Sequence, residues 1–232
     1  MSVLSRRLLA FLPFVAVTAL HLVALFLGNE PIPHHTKGWL MATLLVGFLL
    51  GQRWSPERRT LLPAMLCGIG FSWVGDTSLL YGDTTGFLTG LGAFLLAHAA
   101  YLFAFFQLPG ARRPRPLIVV AYLIYFVALL SALGPETNLL LAPVAMYGFV
   151  LVMTGMIGST VNWLAGLGGA LFVVSDSVLG ANKFLPGFAM WQVDFVIMIG
   201  YTGAQLAIVL GVLRALDGVP GPAVSPRAVT KQ

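Results

Sequence analysis

Residues 60–81 read TLLPAMLCGIGFSWVGDTSLLY: one uninterrupted apolar run whose only charged side chain is Asp76, directly after Gly75. At 1.5 Å per residue such a run is long enough to cross the ~30 Å hydrocarbon core of a bilayer. A carboxylate inside hydrocarbon costs a few kcal/mol or more, so Asp76 marks a functional site by default. Both the fold and the site are therefore sought in what surrounds this run.

The rest of the chain has the same character. Over 232 residues it is 58% hydrophobic and 9% charged, with a mean hydropathy of +0.91, against roughly 25% charged residues in soluble domains. Apolar runs fall at about 8–27, 38–52, 60–81, 86–107, 116–133, 138–156, 163–181 and 190–214. The expected fold is an all-α, polytopic transmembrane bundle of eight helices, forming one domain over residues 1–216 with a disordered tail at 217–232. The first run follows Arg6 and Arg7 as a signal peptide would, but its near-spanning length and the lack of a convincing cleavage site identify it as the first helix.

Charge sets the expected orientation. With eight spans, Arg6, Arg7, Arg53, Arg58, Arg59, Arg112, Arg113, Arg115, Arg214, Arg227 and Lys231 share one side, and only Lys37 and Lys183 lie on the other. Cytoplasmic loops carry the cationic excess, so both termini are expected in the cytoplasm. The net charge of +5 is thereby assigned to membrane orientation, and no nucleic-acid partner is expected. A single cysteine, Cys67, leaves no internal disulfide.

In that arrangement Asp76 and Asp176 lie ~8 Å inside the non-cytoplasmic ends of the third and seventh helices, and Asp194 lies ~6 Å inside the eighth. Three of the chain's eight acidic residues thus occupy one layer. Below it come His98, Tyr201 and Gln205, at ~16–22 Å depth. Spacings of seven and four put Asp194, Tyr201 and Gln205 on one face of the last helix, while Phe94, His98, Tyr101 and Phe105 form a stripe on the fourth. Such a funnel suits an amphiphile lying partly in the membrane. Each polar residue has a structural alternative: His98 and the tyrosines as interhelical hydrogen-bonding partners, Asp194 as a wetted interfacial residue, Asp83 as a turn residue. Hydrolase and phosphate-binding motifs such as GxSxG, HExxH and GxxxxGK[ST] do not occur. Neither a metal nor another cofactor is indicated, since the histidines at 21, 34, 35 and 98 lack ligand spacing.

Gly75-Asp76-Thr77-Ser78-Leu79-Leu80, followed by Phe87, Gly90, Gly92-Ala93-Phe94, Ala97-His98 and Tyr101, closely resembles the pattern of the YhhN family of membrane proteins, which includes lysoplasmalogenases. The segment from Gly169 through Ser175-Asp176-Ser177 to Leu179, then Asn182-Lys183-Phe184, and the pair Tyr201 and Gln205 resemble the family's later segments. The chain departs from the family at the second helix, where Lys37 is followed by Gly38 and not by proline.

The resemblance implies hydrolysis of the vinyl ether bond of a lysoplasmalogen to a fatty aldehyde and a glycerophospho-alcohol. Vinyl ethers cleave when acid protonates the β-carbon and water captures the oxocarbenium ion. Two carboxyls in one dry layer repel, so that one keeps a proton while the other stays charged, as in the acid and stabiliser pair of glycosidases. The expected catalytic residues are Asp76, Asp176 and His98, with the division into acid and base left open. Tyr101, Asp194, Tyr201, Gln205 and Lys37 are expected to bind the lysophospholipid substrate, Lys37 either at its phosphate or snorkelling at the interface. A bacterial inner-membrane location is expected, with the polar site nearer the non-cytoplasmic face. Hydrolysis of another lipid amide or ester, and transport of a lipid or small molecule, remain as alternatives.

Overall fold

A computed structural model describes residues 3–29, 31–52, 60–108 and 113–217, with side chains from residue 6 onward. Arg53, Arg58, Arg59, Arg112, Arg227 and Lys231, and the expected disordered tail beyond Asp217, lie outside the described residues. No strand occurs among those described; the chain forms α1 (Val3–Phe26), α2 (Pro31–Gly51), α3 (Leu61–Ser78), α4 (Thr84–Phe106), α5 (Pro116–Thr137), α6 (Leu141–Val161), α7 (Trp163–Phe184) and α8 (Val193–Asp217).

Two boundaries depart from the hydropathy pattern, each for a local reason. The second helix was expected at 38–52 but begins at Pro31. Prolines fit a first helical turn, where the missing N–H has no partner to lose, and the Asn29 carboxamide oxygen accepts from the Ile32 N–H at 3.2 Å. Lys37 therefore sits inside a helix and not in the preceding loop. The helix expected at 116–133 continues through Gly134-Pro135 to Thr137, and one 3-10 turn, Asn138–Leu140, joins it directly to α6. The described residues thus form seven uninterrupted helical stretches where eight separate ones were expected. Asn138, at φ 49°, reverses the chain, and the edge-to-face rings of Phe126 and Phe149 at 6.1 Å hold α5 antiparallel to α6.

Five stretches among the described residues are long and apolar enough to cross a membrane: Arg6–Phe26, Thr84–Phe106, Pro116–Val161, Trp163–Phe184 and Val193–Asp217. Those that fall short, α2 and α3, carry His34, His35, Thr36 and Lys37 on one and Ser72, Asp76, Thr77 and Ser78 on the other. Of these, His34, Lys37 and Asp76 line the cavity described below.

Helices pack mainly as neighbours in sequence, α1 on α2, α3 on α4 and α6 on α7 on α8, with α4 against α6 closing the bundle. Without a hydrophobic drive between helices in lipid, close approach over small residues supplies the packing. A Cβ added at Gly169 would fall on the backbone of Gly155, so α6 and α7 touch main chain to main chain. Asn162 fixes their turn: its side chain accepts from the Ala165 N–H at 3.1 Å and donates to the Gly211 carbonyl of α8 at 2.8 Å. At the same end of the bundle Arg7 meets Asp217 at 2.5 Å, tying the start of α1 to the end of α8.

Candidate functional site

At the opposite end, where the α1–α2, α3–α4 and α7–α8 connections gather, the helices enclose a cavity of about 710 Å³. Asp76 lies in its wall and is only 2% exposed. Gly75 explains how: a Cβ there would come within 2.6 Å of the Phe94 ring, so only glycine lets α4 seat that ring beside Asp76. Phe94 and Phe172 meet the Tyr201 ring edge-to-face at 5.8 and 5.5 Å, and so aim its hydroxyl at the carboxylate.

That hydroxyl donates to Asp76 Oδ2 at 2.7 Å. The Gln205 amide donates to the Tyr201 oxygen at 3.3 Å, and the Tyr101 hydroxyl donates to Gln205 Oε1 at 2.7 Å. All three donors point the same way, and hydrogen bonds so aligned polarise one another. The deeper polar tier is thus a relay that ends on Asp76 and closes the cavity floor.

Asp176 reaches the cavity from α7, half-buried, and accepts a hydrogen bond at Oδ2 from the Tyr147 hydroxyl of α6. Its neighbour Ser175 donates to the Ile197 carbonyl of α8 at 2.9 Å. In the Ser175-Asp176 pair, one residue fastens the helices and the other faces the cavity. Lys37 lines the cavity too. Around the mouth stand the exposed Asp194, Asp83 and Lys183, with the Lys183 ammonium 5.2 Å over the Phe87 ring. Asp83 also caps α4, accepting from the Gly86 N–H at 2.7 Å.

Of the residues singled out from sequence, Asp76, Asp176, Asp194, Tyr201 and Lys37 line this one cavity, and Tyr101 and Gln205 support it from below. His98 is not brought to it. The imidazole is fully buried among Phe172 (4.6 Å), Tyr147 (5.9 Å) and Tyr101 (6.1 Å), and neither ring nitrogen has a hydrogen-bond partner. Its contacts with the site run through the rings of Tyr147, Tyr101 and Phe172. Among the described residues no group of three or more His, Cys, Asp or Glu side chains is placed to hold a metal ion.

Three residues of the site escaped the sequence reading, Tyr147 through its bond to Asp176 and His21 and Lys183 in the cavity lining. Tyr147 lies in a plain apolar run, yet it and Asp176 are nearly equidistant from the Asn162 turn, and that hairpin symmetry puts them at one depth. His21 lines the cavity from α1, with Nδ1 2.7 Å from Thr36 Oγ1 and Nε2 unpartnered. Nothing in its apolar surroundings signals this. Lys183 has the exposed character of any interfacial cation, and its place in the last turn of α7 puts it in the cavity lining.

Five stretches apolar and long enough to cross a membrane, packed around a cavity lined by carboxyl groups, make this an integral membrane protein. The chain belongs to the YhhN family, whose model matches residues 33–212. It is 33% identical over 192 residues to lysoplasmalogenase TMEM86B of Homo sapiens, covering 79% of this chain and 80% of that one. It is 31% identical over 196 residues to a lysoplasmalogenase of Mycobacterium bovis (80% and 72%), and 30% identical over 160 residues to lysoplasmalogenase TMEM86A of Bos taurus (66% of each). No solved structure matches the chain.

Proposed function

We propose that this protein is a membrane-embedded lysoplasmalogenase, a hydrolase that uses Asp76 and Asp176 as an acid and base pair on the vinyl ether of a lysophospholipid. The observation that carries the reading is the meeting of these two carboxyls, from α3 and α7, in the wall of one cavity. Each is oriented by a tyrosine hydroxyl, Tyr201 for Asp76 and Tyr147 for Asp176.

The neutral carboxyl protonates the β-carbon, leaving an oxocarbenium ion beside two carboxylates. Water adds to the α-carbon as the second carboxylate takes its proton, giving a hemiacetal. In its collapse the hemiacetal hydroxyl returns a proton to the first carboxylate, the second carboxyl protonates the departing glyceryl oxygen, and both groups regain their starting forms. Fixed charges and dipoles aimed at the cation stabilise it without reorganisation. At the mouth, Lys37 and Lys183 suit the phosphate, and Asp83 and Asp194 suit a cationic head group. Transport would require access from both faces, and the Tyr101, Gln205 and Tyr201 relay stands across such a path.

The finer topology belongs to this reading. Eight crossings follow if the α5–α6 hairpin spans twice and α2 and α3, less apolar than the other five stretches, cross as well. The cations Arg6, Arg7 and Arg214 at the end away from the cavity support cytoplasmic termini in a bacterial inner membrane, with the cavity mouth on the non-cytoplasmic side.

The test is release of fatty aldehyde from a lysoplasmalogen by purified protein in detergent, with the saturated ether analogue as the control. Turnover of the vinyl ether alone is expected; no aldehyde from either would overturn the assignment. In the same assay Tyr201→Phe and Tyr147→Phe are expected to lower kcat by about tenfold each, the scale of one buried hydrogen bond to a charged group. A change in KM alone would instead make these tyrosines substrate contacts.

A further inference from the structure

A second, narrow and almost wholly apolar slot of about 70 Å³ lies between α4, α5, α6 and α7 and shares Asp176, Phe87, Phe94 and Leu179 with the lining of the first cavity. Asp176 lines both spaces, whereas Asp76 lines only the polar one. The slot's outer wall includes Leu129 of α5 and Val144 of α6. Helix α5 is the edge of the bundle: its buried residues are Leu133 and Thr137, while Ile124 and Val127 stand 65% and 60% exposed. The slot thus lies between a carboxyl and the helix at the edge of the bundle.

We infer that this slot takes the alkenyl chain of the substrate, and that its position orders the two carboxyls along the vinyl ether. The inference rests on the hydrolase reading above. In R–CH=CH–O–glyceryl the β-carbon is on the chain side and the α-carbon is bonded to oxygen on the head-group side. A chain in the slot and a phosphate near Lys37 and Lys183 lay the substrate from slot to mouth, so the carbon nearest the junction is the β-carbon. Asp176, at that junction, donates its proton there. Tyr147 occupies Asp176 Oδ2, which leaves Oδ1 to carry the proton. Asp76 faces the polar cavity, where water enters, and accepts the proton of the water that adds to the α-carbon. No oxidant or further reactant is needed, and the proton lost by Asp176 returns from the hemiacetal hydroxyl.

Two measurements test this, both on the full chain in detergent after wild-type turnover has been established, so that failure of the hydrolase reading is seen first and separately. Leu129→Trp and Val144→Phe narrow the slot from two helices. Each is expected to lower the ratio of kcat/KM for a hexadecenyl over an octenyl lysoplasmalogen by about tenfold, the scale on which a pocket discriminates by size. An unchanged ratio in both monodisperse variants would overturn the chain assignment. The second measurement is mass spectrometry of lysoplasmalogen recovered from deuterium oxide. With water capture impaired in Asp76→Asn, reversible protonation by Asp176 is expected to place deuterium on the β-carbon, and Asp176→Asn is expected to place none. Exchange in Asp176→Asn, or in neither variant, would overturn the ordering.

Discussion

Asp76→Asn and Asp176→Asn are each expected to lower lysoplasmalogen turnover by about a thousandfold or more, within the range that a positioned acid or base contributes. Asparagine matches aspartate in shape and can still accept the tyrosine hydrogen bond, so the cavity wall persists. What it lacks is an acidic proton to give to carbon and a charge with which to draw one from water. The size-exclusion profile should not change, because a neutral amide is less costly to bury at these positions than a carboxylate. Aldehyde release measured alongside that profile decides the matter. A well-folded variant that keeps wild-type kcat removes its aspartate from the chemistry.

The largest effect on folding is expected at a residue far from the cavity. Gly169→Leu forces a branched side chain onto the backbone of Gly155, where no flexible group can yield. Overpacking a tight contact costs about 1–3 kcal/mol or more, and here it separates α6 from α7, the hairpin that sets Tyr147 opposite Asp176. The monodisperse peak in detergent should be lost, or the apparent Tm should fall sharply, together with activity. Gly70→Ala is the control: a Cβ there meets nothing within 4 Å, and alanine favours a helix over glycine by about 0.5–1 kcal/mol. Its Tm should equal or exceed that of the wild type. Equal behaviour of the two variants would show that helix contact at Gly169 does not limit stability.

The candidate site was legible where its chemistry conflicts with its surroundings. Asp76 and Asp176 stand out because a carboxylate in an apolar run must be compensated, and Tyr201 and Gln205 because a four-residue spacing puts two hydrogen-bonding groups on one helix face. Tyr147 carried no such conflict, since a tyrosine in an apolar helix has many uses. His98 shows the converse: a buried histidine beside a polar tier reads as a participant, and its packing against the Phe172 and Tyr147 rings, outside the cavity lining, cannot be read from its position in the chain. Polar residues also obscured the start of α2, because hydropathy discounts Pro31 through Lys37 although nothing in them opposes a helix.

By itself the sequence determined that the chain is helical and apolar, which runs leave water, and which residues are too costly to bury without purpose. These follow from transfer free energies and helix periodicity, both local properties. Tertiary structure decided which of those residues meet. The rotation and tilt of each helix depend on contacts such as Gly169 on Gly155 and Gly75 beneath Phe94, between segments far apart in sequence. Through them the carboxyls of residues 76 and 176 come to line one cavity, each under its own tyrosine, with the apolar slot opening beside Asp176 alone.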